Sequence, residues 1–177
     1  MRKELFLHFA FWAAFFLFIT LIRQYFDLSY WPFWVGGFVG VFLPDIDHLI
    51  YVYFVQPQEL TSQRVGYLVN KKELKRSVEL LYETRSERRG LIFHTLLFQI
   101  IFFVLTFWVM SSSGSLFGQG LVLSFALHLS VDQIVDLTEV GNLNNWFKDL
   151  PFSLDPKQSR TYWIVTTIMV LLFGFFL

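Results

Sequence analysis

The sequence predicts an all-α membrane protein, with about five transmembrane helices in a bundle and an amphipathic helix on the cytoplasmic surface. Three observations carry that prediction. The 177 residues are 55% hydrophobic and include 23 Phe, 6 Trp and 7 Tyr, an aromatic content well above that of an ordinary soluble chain. The apolar residues fall into blocks of roughly 17 to 25, the length that crosses about 30 Å of hydrocarbon at about 1.5 Å per residue. The basic residues, finally, divide unequally between the two sides that such blocks define. The length suits a single integral membrane domain over 1–177.

The first block runs from about Leu5 to Ile22, behind Arg2 and Lys3. It is too long for a secretory signal, and no small-residue cleavage site follows it. The second, from about Tyr30 to Val55, is apolar except for Leu43-Pro44-Asp45-Ile46-Asp47-His48. Pro44 lacks an amide donor, so the helix is expected to break or kink there. Gly36, Gly37 and Gly40 have the small-residue spacing that lets helices approach closely, and packing is their simplest role.

The inner loop 56–90 carries Leu74, Val78, Leu81 and Tyr82 at helical spacing, with Lys71, Lys72, Lys75, Arg76 and Glu79 at the other positions. This is the amphipathic surface helix. Its basic face suits anionic headgroups, or serves only to set topology. Further spans run from about Leu91 to Met110, Leu116 to Leu137 and Tyr162 to Leu177, with a short outer turn at Ser111–Ser115. Between Leu137 and Arg160 the asparagines and prolines predict an inner loop with turns, with Trp146 at the headgroup level.

Orientation follows from the basic residues, because segments kept in the cytoplasm are enriched in Lys and Arg. An inner N-terminus puts Arg2, Lys3, Arg64, the basic residues of the long loop, Lys148, Lys157 and Arg160 inside, and leaves only Arg23 outside. The expected topology is integral to the cytoplasmic (inner) membrane, N-terminus inside and C-terminus outside.

Charged side chains at membrane depth cost about 2.5 to 3.5 kcal/mol each, so Asp45, Asp47 and Asp132 together would cost roughly 8 to 10 kcal/mol if unpaired. No Lys or Arg lies inside the second, third or fourth block. Protonation, the edge arginines Arg88 and Arg89, or a bound cation must offset the cost. Depth brings the candidates together: Asp45, Asp47 and His48 lie in the inner half of the second span, His94 one turn into the third, and His128 and Asp132 in the inner half of the fourth. His128, Asp132 and Asp136 are spaced by four and share a helix face. Asp45, Asp47, His48, His94, His128 and Asp132 are therefore the candidate ligands of a divalent metal ion, zinc or manganese by their nitrogen and oxygen character. His8, near the inner end of the first span without an acidic neighbour there, is expected to be an interfacial histidine and no ligand.

The chain has no cysteine, which excludes disulfides, iron–sulfur clusters and thiolate chemistry. Its 14 basic and 14 acidic residues balance, and no nucleic-acid module or phosphate-binding glycine loop is present.

Three segments resemble the predicted membrane-bound metal-dependent hydrolases that include the YdjM-like inner-membrane proteins. They are Gly40-Val41-Phe42-Leu43-Pro44-Asp45-Ile46-Asp47-His48, Arg89-Gly90-Leu91-Ile92-Phe93-His94-Thr95, and His128-Leu129-Ser130-Val131-Asp132. The family's middle motif reads His-Arg-Gly followed by Thr-His-Ser, whereas this chain has Arg88 in the place of the first histidine and one extra residue before His94. The resemblance implies a hydrolase. In that case Asp47 or Asp136 serves as general base, while Arg88 and Arg89 bind the phosphate of a lipid headgroup or other phosphate ester. Membrane lipids are then the partners. The competing classes are a noncatalytic scaffold stapled by the metal, and an ion- or proton-coupled transporter. The outer halves of the second, third and fourth spans are almost wholly apolar or aromatic, which favours a one-sided pocket over a through-path.

Overall fold

The computed structural model describes residues 2–84, 88 and 90–176, residues 2–4 and 176 by their backbone alone. Among these residues all regular structure is helical and there is no strand. The helices are α1 (Arg2–Arg23), α2 (Trp31–Phe42), α3 (Ile46–Ile50), α4 (Leu60–Asn70), α5 (Leu74–Glu83), α6 (Leu96–Ser112), α7 (Leu116–Glu139) and α8 (Pro156–Phe176). Among the described residues three segments are long and apolar enough to cross a membrane: Leu5–Arg23, Leu28–Val55 and Leu116–Glu139. Helix α6 is shorter, at 17 residues. Helix α8 opens on Lys157 and Arg160, so its apolar stretch starts only at Tyr162.

Helix α7 is the axis of the fold. It is buried over nearly its whole inner length, from Gly120 to Val135, and Leu123, Ala126 and Leu129 sit in one apolar core with Phe16 and Ile19 of α1, Phe33 of α2 and Val170 of α8. Helices α2 and α7 meet backbone to backbone. A Cβ on Gly36 would overlap the Phe117 carbonyl, one on Gly40 the Leu121 carbonyl, and one on Gly120 the Phe33 carbonyl. The glycine spacing is therefore a packing device, and Gly37 gives its room to the Phe16 ring. A polar chain ties three helices together: Gln133 Nε2 donates to Gln99 Oε1 at 2.8 Å, Thr166 Oγ1 donates to Gln133 Oε1 at 2.9 Å, and the Tyr162 hydroxyl also donates to Gln99.

Outside the apolar segments, Asp27 turns the chain between α1 and α2. Its carboxylate accepts the Ser29 amide at 2.7 Å, and that hydrogen bond holds its pKa below the ordinary aspartate range. At the same end of the molecule Arg23 Nε donates to the Gly174 carbonyl at 3.1 Å, so the C-terminal ends of α1 and α8 lie together.

Two departures from the sequence expectation concern the inner loop. The amphipathic helix forms as α5, but Leu74 and Val78 stay exposed while Leu81 and Ser77 are buried. A second helix, α4, precedes it, and Val65 and Leu81 close a small separate core on Val52. Trp146, expected at the headgroup level, is only 2% exposed and belongs to the main core.

Candidate metal centre

The centre is built where α2 stops. Pro44 has no amide proton, and from Leu43 the chain changes to shorter i to i−3 bonds: Ile46 N to Leu43 O at 3.2 Å, Asp47 N to Pro44 O at 3.1 Å and His48 N to Asp45 O at 3.1 Å. The tighter winding re-aims the next side chains. Asp45 turns toward α7, its Oδ1 3.7 Å from His128 Nε2. Asp47 turns toward the segment before α6, where it takes the amides of Ile92 at 3.0 Å and Phe93 at 2.6 Å.

Those two bonds correct the third span. Residues 90–95 are not helical, so His94 lies ahead of α6 and not one turn inside it. The physical reason is local: Asp47 holds the Ile92 and Phe93 amides, and Thr95 caps the helix by accepting the Phe98 amide at 3.3 Å. His94 is thereby placed between two carboxylates. Its Nδ1 is 3.1 Å from Asp47 Oδ2 and its Nε2 is 2.8 Å from Asp132 Oδ2. The indole of Trp146 packs edge-on against the ring, with centroids 5.3 Å apart.

Asp132 is the hub. Besides His94, His128 Nε2 approaches its Oδ2 at 3.2 Å, and His8 Nε2 approaches its Oδ1 at 3.2 Å. The ligand atoms of His8, His128 and Asp132 all lie within 4.8 Å of one another, and all three side chains are buried. Ligands held about 2.0 to 2.2 Å from a common ion stand roughly 3 to 4 Å apart, so this spacing fits a cation.

The protons sharpen the test of fit. His128 Nδ1 lies 2.6 Å from the Val41 carbonyl, which can only accept, so Nδ1 carries the hydrogen. In the neutral ring Nε2 then presents a lone pair to the oxygens of Asp132 and Asp45, and among the described residues it meets no donor. Lone pair against carboxylate is repulsive. A cation between them, or a second proton on the ring, removes the repulsion.

The predicted site residues separate into groups. Asp45, Asp47, His94, His128 and Asp132 are joined in one chain of contacts. His48 sits beside them, its ring stacked on His94 with centroids 5.6 Å apart, and its Nδ1 accepts Arg88 Nε at 3.2 Å. The sequence places Arg88 at the membrane edge, where it would bind phosphate. Instead it is 3% exposed, and it also donates to Thr84 Oγ1 at 2.9 Å and to the Leu81 carbonyl. Asp136 Oδ2 accepts the Trp146 indole N–H at 2.7 Å, next to the ring of His94. Arg89 lies outside the described residues.

His8 is the residue that the sequence reading left out. Its ring lies 4.1 Å from that of His128, centroid to centroid. The missed signal was depth, since His8 enters from the N-terminal part of α1 at the level of His128 and Asp132.

A chamber of about 170 Å³ opens beside the centre, and His8, Asp45, His48 and Arg88 form its polar wall.

The family model described as YdjM inner membrane protein matches residues 4–176. No curated protein and no solved structure matches the chain.

Proposed function

The chain belongs to the YdjM inner membrane protein family, and from that footing we propose that it is a metal-dependent hydrolase working at the cytoplasmic face of the membrane, on a phosphate ester or a lipid headgroup. The observation that carries this is the convergence of His8, His94 and His128 on the two oxygens of Asp132, with the His128 lone pair turned inward. A cation beside the His128 lone pair lets that ring stay neutral. The alternative is a second proton on the ring or a proton on a facing carboxylate, and a charged ring buried there carries a large desolvation cost.

His8, His128 and Asp132 would hold the ion, with Asp45 and His94 beside them; zinc or manganese suits this donor set. A divalent cation there would supply Lewis acidity to an ester oxygen and acidify water. The remaining work falls to the chain. Asp45, whose side chain is 37% exposed, borders the chamber and is the base best placed to take a proton from water. Asp47, which accepts two amides and faces His94, orients that ring, a role other than the base or ligand expected of it. Asp136 steadies Trp146 against His94 from behind. Arg88 fixes His48 at the chamber wall and adds positive charge where an anionic ester would rest.

Five spans, with α6 and α8 completing the set, an inner N-terminus and an outer C-terminus agree with the basic residues. The pairing of Arg23 with Gly174 supports this, because it puts the ends of α1 and α8 at one level. One integral domain over 1–177 follows.

Elemental analysis of protein purified without chelator should find about one zinc or manganese per chain. Release of phosphate or headgroup from lipid should require that metal. Full activity in the double variant Asp45→Ala with His128→Ala would end the hydrolase reading, and a metal-free wild type would end the metal reading. A metal retained with no turnover on any phosphate ester would favour the stapled scaffold.

A further inference from the structure

The polar chamber beside the centre is not isolated. Asp45, Val78 and Tyr82 line it, and the same three side chains line a second, larger hollow of about 560 Å³. The rest of that hollow is Leu5, Phe6, Phe9 and Phe42, from the inner end of α1 and the last turn of α2. Its walls are thus apolar on both membrane-spanning helices, and Asp45 stands at the neck. Phe6 is 74% exposed and Phe42 40%, so the hollow opens on the exposed apolar surface of these two helices.

We propose that the substrate is a membrane amphiphile that enters sideways from the inner leaflet. Its hydrocarbon chain lies along Phe6, Phe9 and Phe42, and its polar ester reaches Asp45 and His8 in the chamber. The proposal rests on reading the centre as hydrolytic. Size argues for it. A chamber of about 170 Å³ is smaller than the roughly 300 to 1,000 Å³ that a ligand site normally offers, and only with the apolar hollow does the space reach that range. A soluble ester would leave the larger part of the site unused, whereas an alkyl chain fills it with the favourable burial that apolar walls provide.

Helix α5 supplies the gate. Val78 is 44% exposed and borders both hollows, which explains why an amphipathic helix leaves an apolar side chain without a core to enter. The groove between α6 and α8, lined by Ile100, Phe103, Val165 and Met169, is a built-in comparison. It is apolar and of similar size, but among its lining residues there is no charged or histidine side chain.

The test uses the full chain in nanodiscs and a lysophosphatidic acid bearing a diazirine at the end of a sixteen-carbon chain. After irradiation, the crosslinks should concentrate on peptides containing Leu5–Phe9 and Phe42. Unlabelled oleoyl lysophosphatidic acid should compete, and glycerol 3-phosphate should not. Val78→Trp should cut the groove crosslinks at least fivefold with the metal content unchanged, while Leu74→Trp, on the same helix but outside both hollows, should label as wild type. Crosslinks spread evenly over α6 and α8, or competition by glycerol 3-phosphate alone, would overturn the proposal, and the competition arm does so without any variant. Groove labelling in a metal-free protein would support the amphiphile site and strike only the hydrolytic reading.

Discussion

Replacing Asp132 by Asn removes one charge at the point where three imidazoles meet and leaves the side-chain volume almost unchanged. The amide can donate to the lone pairs that now face the carboxylate, so the metal-free fold should survive. What should shrink is the response to metal. Ligand binding stabilises a fold by RT ln(1 + [L]/Kd), about 4.1 kcal/mol at 1,000 times Kd, which for a chain of this length is a rise in Tm of about 8 to 16 °C. Groups that merely support a metal ligand are worth about 10- to 100-fold in affinity, and Asp132, touching His8 at 3.2 Å, His94 at 2.8 Å and His128 at 3.2 Å, should be worth at least the upper figure. A loss of about 100-fold lowers the increment at the same metal concentration to about 1.4 kcal/mol, or roughly 3 to 6 °C. Thermal unfolding in detergent, with and without zinc or manganese after chelator treatment, measures both increments. Equal increments in wild type and Asp132→Asn, or none in either, would refute the assignment.

Four further outcomes test the framework. Gly36→Ala should destabilise the protein by about 3 kcal/mol, the upper end for overpacking, because its Cβ meets a backbone carbonyl that cannot swing away; Gly66→Ala on α4, where the Cβ meets nothing, should instead stabilise by about 0.5 to 1 kcal/mol, both read from Tm. Arg88→Gln should free the end of α5, at Leu81 and Thr84, from the guanidinium that also holds His48, and amide exchange over Leu74–Glu83 should speed up by about tenfold or more. Gln99→Leu should cost about 1 to 3 kcal/mol in detergent unfolding, since Gln133 and Tyr162 lose their acceptor. The Asp27 carboxylate titrates below its unfolded value, so its contribution is complete above that value and is lost as pH falls through the lower folded one; the Ser29 amide shift in a pH titration should report a midpoint under the ordinary aspartate range.

Much of the scaffold is legible in hydropathy alone. The blocks beginning at Leu5, Tyr30 and Leu116 become the three long apolar segments, and the serine turn before the last of them supplies Ser115 as the cap of α7. Pro44 marks the interruption of the second block because its missing donor is a covalent fact. Other features depend on contacts between distant elements. Helix α4 mixes Leu60, Val65, Leu68 and Val69 with polar residues and forms no long apolar block, and its Val65 is buried against Val52 and Leu81. The start of α6 is set by a carboxylate about forty-five residues earlier in the chain, so hydropathy places it too early. His8 has no acidic neighbour within the apolar block that begins at Leu5, and its partner comes from α7. Arg88 reads as an exposed basic residue, yet His48, Thr84 and Leu81 together surround its guanidinium. Local pattern finds elements and depth, while pairing across elements decides which atoms of those residues meet.

The interruption at Pro44 has a consequence for where a single hydrogen resides. Val41 lies in the last turn of α2, where carbonyls lose their helical donors, and that carbonyl is the group that claims His128 Nδ1. A defect in one main chain thus chooses the tautomer of a ring on another helix and decides which nitrogen looks inward. Transplanting the histidines and aspartates onto straight helices would copy the residues but not that choice. The unit to be carried over is the pair of helices with its break.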